Sequence, residues 1–173
     1  MTDKMTWDAL IALIEYIITA HALHPVKISK AFRKADGKTP YSVHPIWCAT
    51  TLLQEQGLPQ ELRWNGAQAL FFHDILEDTT AKLPPELSGE VTQMVIDMTF
   101  ENTDAEMVEV WDKPIEIKLL KLYDKVSNLL DADSWMTPER FSQYAKYTNA
   151  LADVVEENYG RLAIVKMARA VTA

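Results

Sequence analysis

The 173 residues suffice for one domain with a core of ordinary size, and 48% hydrophobic with 24% charged residues is the composition of a soluble globular protein. The 25 acidic side chains exceed the 17 Lys and Arg, and the net charge of −8 argues against broad contact with a nucleic-acid backbone. The single cysteine, Cys48, excludes an internal disulfide, so we expect a packed thiol and a reducing, cytoplasmic location.

The N-terminal segment has the pattern of a helix. Apolar residues recur at helical spacing from Thr6 to about Leu23, and Thr6 is suited to cap the helix. Asp8 and Glu15 interrupt the apolar run, so the segment fits neither a signal peptide nor a membrane span. We therefore expect no membrane partner.

The next part of the chain alternates helices with breaks. We predict a second short helix over residues 26–35, with Lys27 and Lys30 on a solvated face, and then a turn-rich loop up to Pro45. Another helix follows. After a break, a long helix is predicted to run without interruption through residues 70–79.

The second half is also helical in pattern. Residues 101–113 are acidic and poorly patterned, and they fit either a loop or a short helix. No strand alternation or internal repeat stands out, so the predicted fold is a single-domain, all-α helical bundle over residues 1–173. The predicted helices begin near Ser88, Pro114, Pro138 and Tyr159.

The stretch LFFHDILEDT, residues 70–79, places ionisable side chains in an apolar run. On a continuous helix His73 and Glu77 would share one face, and Asp74 and Asp78 another, because residues four apart are neighbours. Buried carboxylates are costly unless they are paired or bind a metal. The stretch therefore needs either ion-pair partners or a metal.

A divalent metal site needs several His, Asp or Glu side chains that converge from rigid elements. The mixed nitrogen and oxygen set available here favours an ion that tolerates octahedral geometry, such as Mn²⁺ or Fe²⁺, over a closed thiolate zinc site. Taken singly, each of these residues is more often structural. The candidate ligands are His44, His73, Asp74 and Asp124.

The spacing H…HD…D of these four residues resembles the signature of the HD-domain phosphohydrolases. Three segments narrow the resemblance to the alarmone hydrolase domain of RelA/SpoT proteins and of the stand-alone small alarmone hydrolases, including the metazoan type. They are RKADGKTPYSVHP (33–45), FFHDILEDT (71–79) and KLYDKVSNL (121–129). The resemblance covers residues 26–172, and residues 6–23 are an additional N-terminal helix.

The resemblance implies an HD-type helical fold and removal of the 3′-pyrophosphate of guanosine tetra- or pentaphosphate. It also implies Mn²⁺ as the metal, with Fe²⁺ or another divalent ion as alternatives. By that resemblance His44, His73, Asp74 and Asp124 would hold the metal. Glu77 and Asp78 match the family's acidic pair, which orients or deprotonates the attacking water. The partner is thus a small nucleotide substrate.

The resemblance also implies a set of substrate contacts. Arg33 matches an arginine that stacks on the purine, with Lys34 beside it, and Asn128 matches an asparagine near the ribose and phosphates. Lys121 lies three residues before Asp124, so it could contact a phosphate, although an ordinary surface lysine is an equal interpretation.

Two departures from the family pattern stand out. Residues 101–112 hold five acids and no Lys or Arg, which argues against strong binding of a highly phosphorylated nucleotide from that side. The pair Ala20-His21 lies far from Arg33, so His21 and His24 are given no catalytic role.

Three hypotheses follow. The first is a ppGpp 3′-pyrophosphohydrolase. The second keeps the chemistry but acts on another phosphorylated nucleotide, such as an adenine alarmone or a 3′-phosphorylated cofactor. The third, a non-catalytic nucleotide-binding module, ranks lower because the chain retains every candidate ligand.

Overall fold

The computed structural model describes residues 6–173, and within that range the chain forms nine α-helices and no strand. Three short 3₁₀ helices, Ile28–Ala31, Val110–Asp112 and Ala132–Ser134, lie between them. The predicted all-α bundle is confirmed. The α-helices are α1 (Trp7–Leu23), α2 (Val43–Leu53), α3 (Gln60–Phe72), α4 (Ile75–Asp78), α5 (Gly89–Met98), α6 (Thr103–Glu109), α7 (Ile115–Leu129), α8 (Pro138–Tyr159) and α9 (Ala163–Val171).

Several helices begin at the side chains that the sequence indicates. The Thr6 side chain accepts a hydrogen bond from the Ala9 N–H at the start of α1, and Thr137 accepts one from the Arg140 N–H at the start of α8. Pro138 occupies the first turn of α8, where its missing N–H costs nothing. These contacts satisfy backbone donors that lack a partner within the helix.

Helix α7 runs through the centre of the bundle. It packs against α2, α3, α5, α8 and α9, and most of its side chains are buried, including Tyr123. Gly66 of α3 lies where the helices cross: a Cβ there would come within 2.8 Å of the Leu52 side chain and 3.0 Å of Leu120. The close approach brings α2, α3 and α7 together at one place.

Helix α3 ends at Phe72, so the uninterrupted helix predicted through residues 70–79 is wrong. The His73 Nδ1–H donates to the Leu70 carbonyl at 2.8 Å, occupying an acceptor that a continuing helix would offer to the Asp74 N–H. A turn at His73 and Asp74 follows, and the chain then resumes as the short α4. The Asp78 N–H still donates to the Asp74 carbonyl at 2.8 Å, so these two residues remain one helical turn apart.

The segment between α1 and α2 consists mostly of turns and bends, so the helix predicted over residues 26–35 is reduced to the 3₁₀ turn Ile28–Ala31. Its backbone pairs with the end of α4: the Val26 N–H donates to the Asp78 carbonyl and the Thr80 N–H to the His24 carbonyl, at 2.9 and 2.8 Å. These bonds replace the helical ones that the segment lacks.

Residues 101–113, for which the sequence leaves loop and short helix open, form α6 and the 3₁₀ turn after it. The Asn102 side chain accepts from the N–H groups of Asp104 and Ala105 and so starts the helix. None of the helices in residues 6–173 combines the length and the apolar character needed to cross a bilayer.

Candidate metal centre and cleft

Three side chains from separate parts of the bundle converge at one point. His44 lies in the first turn of α2, His73 follows α3, and Asp124 lies in the middle of α7. One ligand atom of each lies within 4.8 Å of the others, and all three residues are buried. The two Nε2 atoms are 3.2 Å apart, and the His44 Nε2 lies 3.3 Å from the Asp124 Oδ1.

The turn after α3 adds a fourth side chain to this group. The Asp74 Oδ2 lies 3.1 Å from the His73 Nε2 and 3.5 Å from the His44 Nε2. On a continuous helix the two neighbouring side chains would diverge by about 100°. The Tyr41 hydroxyl donates to the same Asp74 oxygen at 2.7 Å, which orients the carboxylate. We call His44, His73, Asp74 and Asp124, the four ligands that the sequence predicts, the inner end of the cleft that is described below.

The donor set fits a divalent cation. The His73 Nδ1–H donates to the Leu70 carbonyl, so in the neutral ring the His73 Nε2 carries a lone pair. The His44 Nδ1 lies 2.8 Å from the Ser127 hydroxyl, and in the tautomer that donates to this oxygen the His44 Nε2 carries a lone pair as well. Two lone pairs facing each other at 3.2 Å repel unless a proton or a cation lies between them. Ligands at ~2.1 Å from an octahedral ion lie ~3 Å apart, close to the separations here.

The pKa values of the two histidines shift in opposite directions. Burial acts to lower the pKa of His73, but the nearby carboxylates of Asp74 and Asp124 outweigh it and raise that pKa to about 10. Burial lowers the pKa of His44, against the charges of Asp124 and Asp74. At neutral pH His73 therefore holds a proton that a metal ion would displace.

Asp124 is held from behind by two lysines. Its Oδ2 lies 3.0 Å from the Lys125 Nζ and 3.5 Å from the Lys121 Nζ, and these charges hold its pKa well below the usual range although burial opposes them. Both lysines are buried and also pair with Glu106. The interpretation of Lys121 as an ordinary surface lysine is therefore wrong.

The two acids of α4 have different partners. The Glu77 Oε1 accepts a hydrogen bond from the Phe100 N–H at 3.0 Å, and burial together with the charge of Asp74 raises its pKa to about 7. Asp78 is buried and forms an ion pair with Lys30, whose side chain stays 41% exposed, so Lys30 is partly solvated as predicted but has a partner that the sequence did not reveal. Burial and the charge of Asp74 raise the pKa of Asp78, against the opposing effect of Lys30.

Arg33, Lys34 and Trp135 form what we call the outer end of the cleft. The guanidinium donates to both carboxylate oxygens of Asp131 at 3.0 and 3.1 Å and to the Asn128 Oδ1 at 3.2 Å. The Lys34 Nζ lies 4.7 Å from the centre of the Trp135 ring. Asn128 also donates to the Asp124 Oδ1 at 2.7 Å, so it connects the two ends of the cleft.

The cleft has a cavity volume of about 130 Å³ and a lining that is balanced in charge, with five carboxylates and five cationic side chains. Of the ten site residues that the sequence predicts, eight line it, and His44 and His73 lie beneath them. The lining cations are Lys30, Arg33, Lys34, Lys121 and Lys125, and the acids are Asp74, Glu77, Asp78, Glu106 and Asp124.

Sequence reasoning missed several side chains that hold the site. Tyr41 and Ser127 lie within the segments that carry the resemblance, so that spacing could have revealed them. Glu106 and Asp131 were missed because their charged partners are 15 to 98 residues away and become neighbours only through the fold. His21 is buried against the Tyr41 ring, and within residues 6–173 neither of its ring nitrogens has a hydrogen-bond partner.

The chain resembles a solved structure. The match is to a metazoan ortholog of SpoT, described as hydrolysing ppGpp and playing a role in starvation responses, with a TM-score of 0.71 at 22% identity over 93% of this chain and 92% of the other. No protein-family model and no curated protein matches the chain. The structural likeness shows that the two proteins share a fold, and it confirms the predicted all-α fold of the HD-domain type.

Proposed function

We propose that this protein is a metal-dependent phosphohydrolase that converts guanosine 3′,5′-bis(diphosphate) and water to GDP and pyrophosphate. In this reaction the water oxygen bonds to the phosphorus on the 3′-oxygen, that P–O bond breaks, and the 3′-oxygen gains a proton. The observation that carries the proposal is the convergence of His44, His73, Asp74 and Asp124 at the base of a cleft lined by the acids of α4. The shared fold adds support.

These four residues would hold the metal, for which we propose Mn²⁺, with Fe²⁺ or another divalent ion as alternatives. A bound divalent ion would offset charge on the phosphoryl oxygens and make water more acidic. The chain itself keeps the ligands oriented, because the Leu70 carbonyl, the Ser127 hydroxyl and the Tyr41 hydroxyl each contact one of them.

Glu77 is the proposed general base. Its Oε1 is occupied by the Phe100 N–H, which leaves the Oε2 to take a proton from the attacking water. A pKa of about 7 suits that task at neutral pH. Asp78, the second proposed catalytic acid, is held by Lys30, and we propose that it orients the water.

The outer end is the proposed nucleotide site. Lys34 would meet a phosphate, since its ammonium contacts an aromatic ring rather than a carboxylate. The N–H groups of Arg33 are largely occupied by Asp131 and Asn128, so we propose that it contacts the purine through its planar face. Asn128 would contact the ribose and phosphate region. Lys121 lines the cleft but already faces two carboxylates, so its effect on a phosphate would be through charge rather than contact.

A second candidate is a different phosphorylated nucleotide, such as an adenine alarmone or a 3′-phosphorylated cofactor. The charge balance of the cleft favours it, because most lining cations already face carboxylates and few remain for four phosphates. If ppGpp is the substrate, we propose that the protein takes part in alarmone turnover, as in the stringent response, in the cytoplasm.

The test is elemental analysis of the purified protein, loading with Mn²⁺, and a nucleotide panel that includes ppGpp. We expect GDP and pyrophosphate in equal amounts, and neither from Asp74→Ala. Release of no pyrophosphate from ppGpp would refute the first proposal, and faster hydrolysis of another nucleotide would favour the second. A protein that binds nucleotides and hydrolyses none would be the non-catalytic module.

A further inference from the structure

A network of four buried charges lies directly behind the metal centre. Glu106 of α6 and Lys121, Asp124 and Lys125 of α7 are each exposed to 4% or less. Charged groups in such an environment are costly unless each is paired and hydrogen-bonded. Within the network two carboxylates face two ammonium groups, so its net charge is zero.

The two oxygens of Asp124 have separate partners. The Oδ1 lies near the two histidines, at 3.3 Å from the His44 Nε2 and 3.9 Å from the His73 Nε2. The Oδ2 points the other way, toward the Lys125 and Lys121 Nζ atoms at 3.0 and 3.5 Å. The carboxylate is therefore the boundary between the metal centre and the lysines.

Glu106 holds both lysines from the far side. Its Oε2 lies 3.0 Å from the Lys121 Nζ, and its Oε1 lies 2.8 Å from the Lys125 Nζ. The Tyr147 hydroxyl of α8 donates to the same Oε1 at 3.0 Å. These contacts fix the Glu106 carboxylate between α7 and α8.

Without Glu106, two ammonium groups would face the single carboxylate of Asp124. The surplus positive charge would lie in a medium of low dielectric, close to the place where a divalent cation would bind. Both ammonium groups would then attract the Asp124 carboxylate, and their positive charge would repel the incoming cation. A carboxylate outside the ligand set thus decides whether Asp124 is available as a ligand.

We propose that Glu106 is a positioning residue for the metal centre: it neutralises Lys121 and Lys125, and so leaves the Asp124 Oδ1 available to bind a divalent cation. The inference rests on the proposed metal site but not on any particular substrate. It also reverses the interpretation of the acidic segment at residues 101–112, where this acid supports the site rather than opposing an anionic ligand.

The experiment measures Mn²⁺ affinity by titration calorimetry on the metal-free protein for Glu106→Gln, Lys125→Gln and the double variant. Glu109→Gln is the control, since it removes the same charge from an exposed position of the same helix. We expect the dissociation constant to rise at least about tenfold in Glu106→Gln, in the range typical of lost outer-shell partners. The double variant restores the charge balance and should bind within about threefold of the wild type, as should Glu109→Gln.

A purely structural role for Glu106 makes the opposite prediction, because the double variant would then bind no better than Glu106→Gln. Equal Mn²⁺ affinity in wild type and Glu106→Gln would also overturn the inference. If Glu106→Gln does not fold, the double variant decides: wild-type-like affinity supports the inference, and weak binding or failure to fold overturns it. Failure of the wild type to bind Mn²⁺ would instead refute the metal site itself.

Discussion

At the inner end of the cleft nearly every donor atom has a second contact that holds it in place. At the outer end the Trp135 Nε1–H donates to the Asp131 Oδ1 at 3.3 Å, and the Lys34 ammonium contacts the Trp135 ring. His44, His73 and Asp74 are each oriented by a hydrogen bond from outside the ligand set. The Lys34 ammonium, in contrast, lies over an aromatic ring and is more exposed. We therefore expect the inner end to be preformed and the outer end to be more adaptable.

The largest expected effect comes from removing a ligand at the inner end. Asp124→Asn keeps the shape of the side chain but loses its charge, so the lysines behind it are no longer balanced. We expect Mn²⁺ affinity to fall by more than about a hundredfold, beyond the loss typical of an outer-shell residue. Calorimetry would measure it, with the exposed Asp133→Asn as control. Undiminished affinity would show that Asp124 is not a ligand.

The second largest effect, expected in Glu77→Gln, is a loss of kcat without a loss of Mn²⁺ affinity. Glu77→Gln should lower kcat by about 10²- to 10⁴-fold while leaving Mn²⁺ affinity nearly unchanged, because the residue is proposed to move a proton rather than to ligate the ion. In the wild type, activity should rise with pH through about 7 as Glu77 loses its proton, and the variant should lose that rise. Steady-state rates from pH 5 to 9 measure both, with the exposed Glu90→Gln as control. A wild-type kcat in Glu77→Gln would remove it from the mechanism.

A smaller effect tests whether water is excluded behind the inner end. Burial lowers the pKa of His21 to about 4, so between pH 6.5 and 4 the unfolded chain takes up a proton that the folded chain does not, and stability falls as the pH falls. His21→Phe removes this penalty. The free energy of unfolding of the variant minus that of the wild type should therefore be about 1–2 kcal/mol larger at pH 5 than at pH 7.

Urea titrations of the metal-free proteins at the two pH values would measure the change. The control is His24→Phe, which alters an exposed histidine three residues later and should show no such improvement. A pH-independent difference between His21→Phe and the wild type would mean that His21 is hydrated in the folded protein.

The smallest effect is expected at the outer end. Lys34→Gln should raise KM about three- to fivefold with little change in kcat, because a half-exposed charge pair contributes below about 1 kcal/mol. The KM difference should shrink with added salt. The exposed Lys38→Gln, in the same loop, is the control. A fall in kcat larger than the rise in KM would place Lys34 at the reacting phosphate rather than at the rim.

The same two ends differ in how far the sequence predicts them. The segments around His44, His73 and Asp124 predicted the inner end, because ligand types at motif spacing constrain the chemistry strongly. The break after Phe72 was not predicted, since it depends on a buried His73 N–H taking the Leu70 carbonyl. The sequence predicted that Arg33 faces the nucleotide. It did not predict the hydrogen bond between Arg33 and Asp131, which joins residues that are 98 positions apart. Local pattern carries no information on such pairs.

The backbone pairing between residues 24–26 and the end of α4 gives the N-terminal helix a role in the site. No described residue of α1 lines the cleft, yet the Val26 and Thr80 N–H groups connect the segment after α1 to the turn that carries Glu77 and Asp78. Amide hydrogen exchange should therefore show these two groups opening as one cooperative unit. We expect loosening of this backbone pairing to displace Glu77 and Asp78, so the N-terminal helix, which also packs against α4, contributes to how firmly the acidic pair is held.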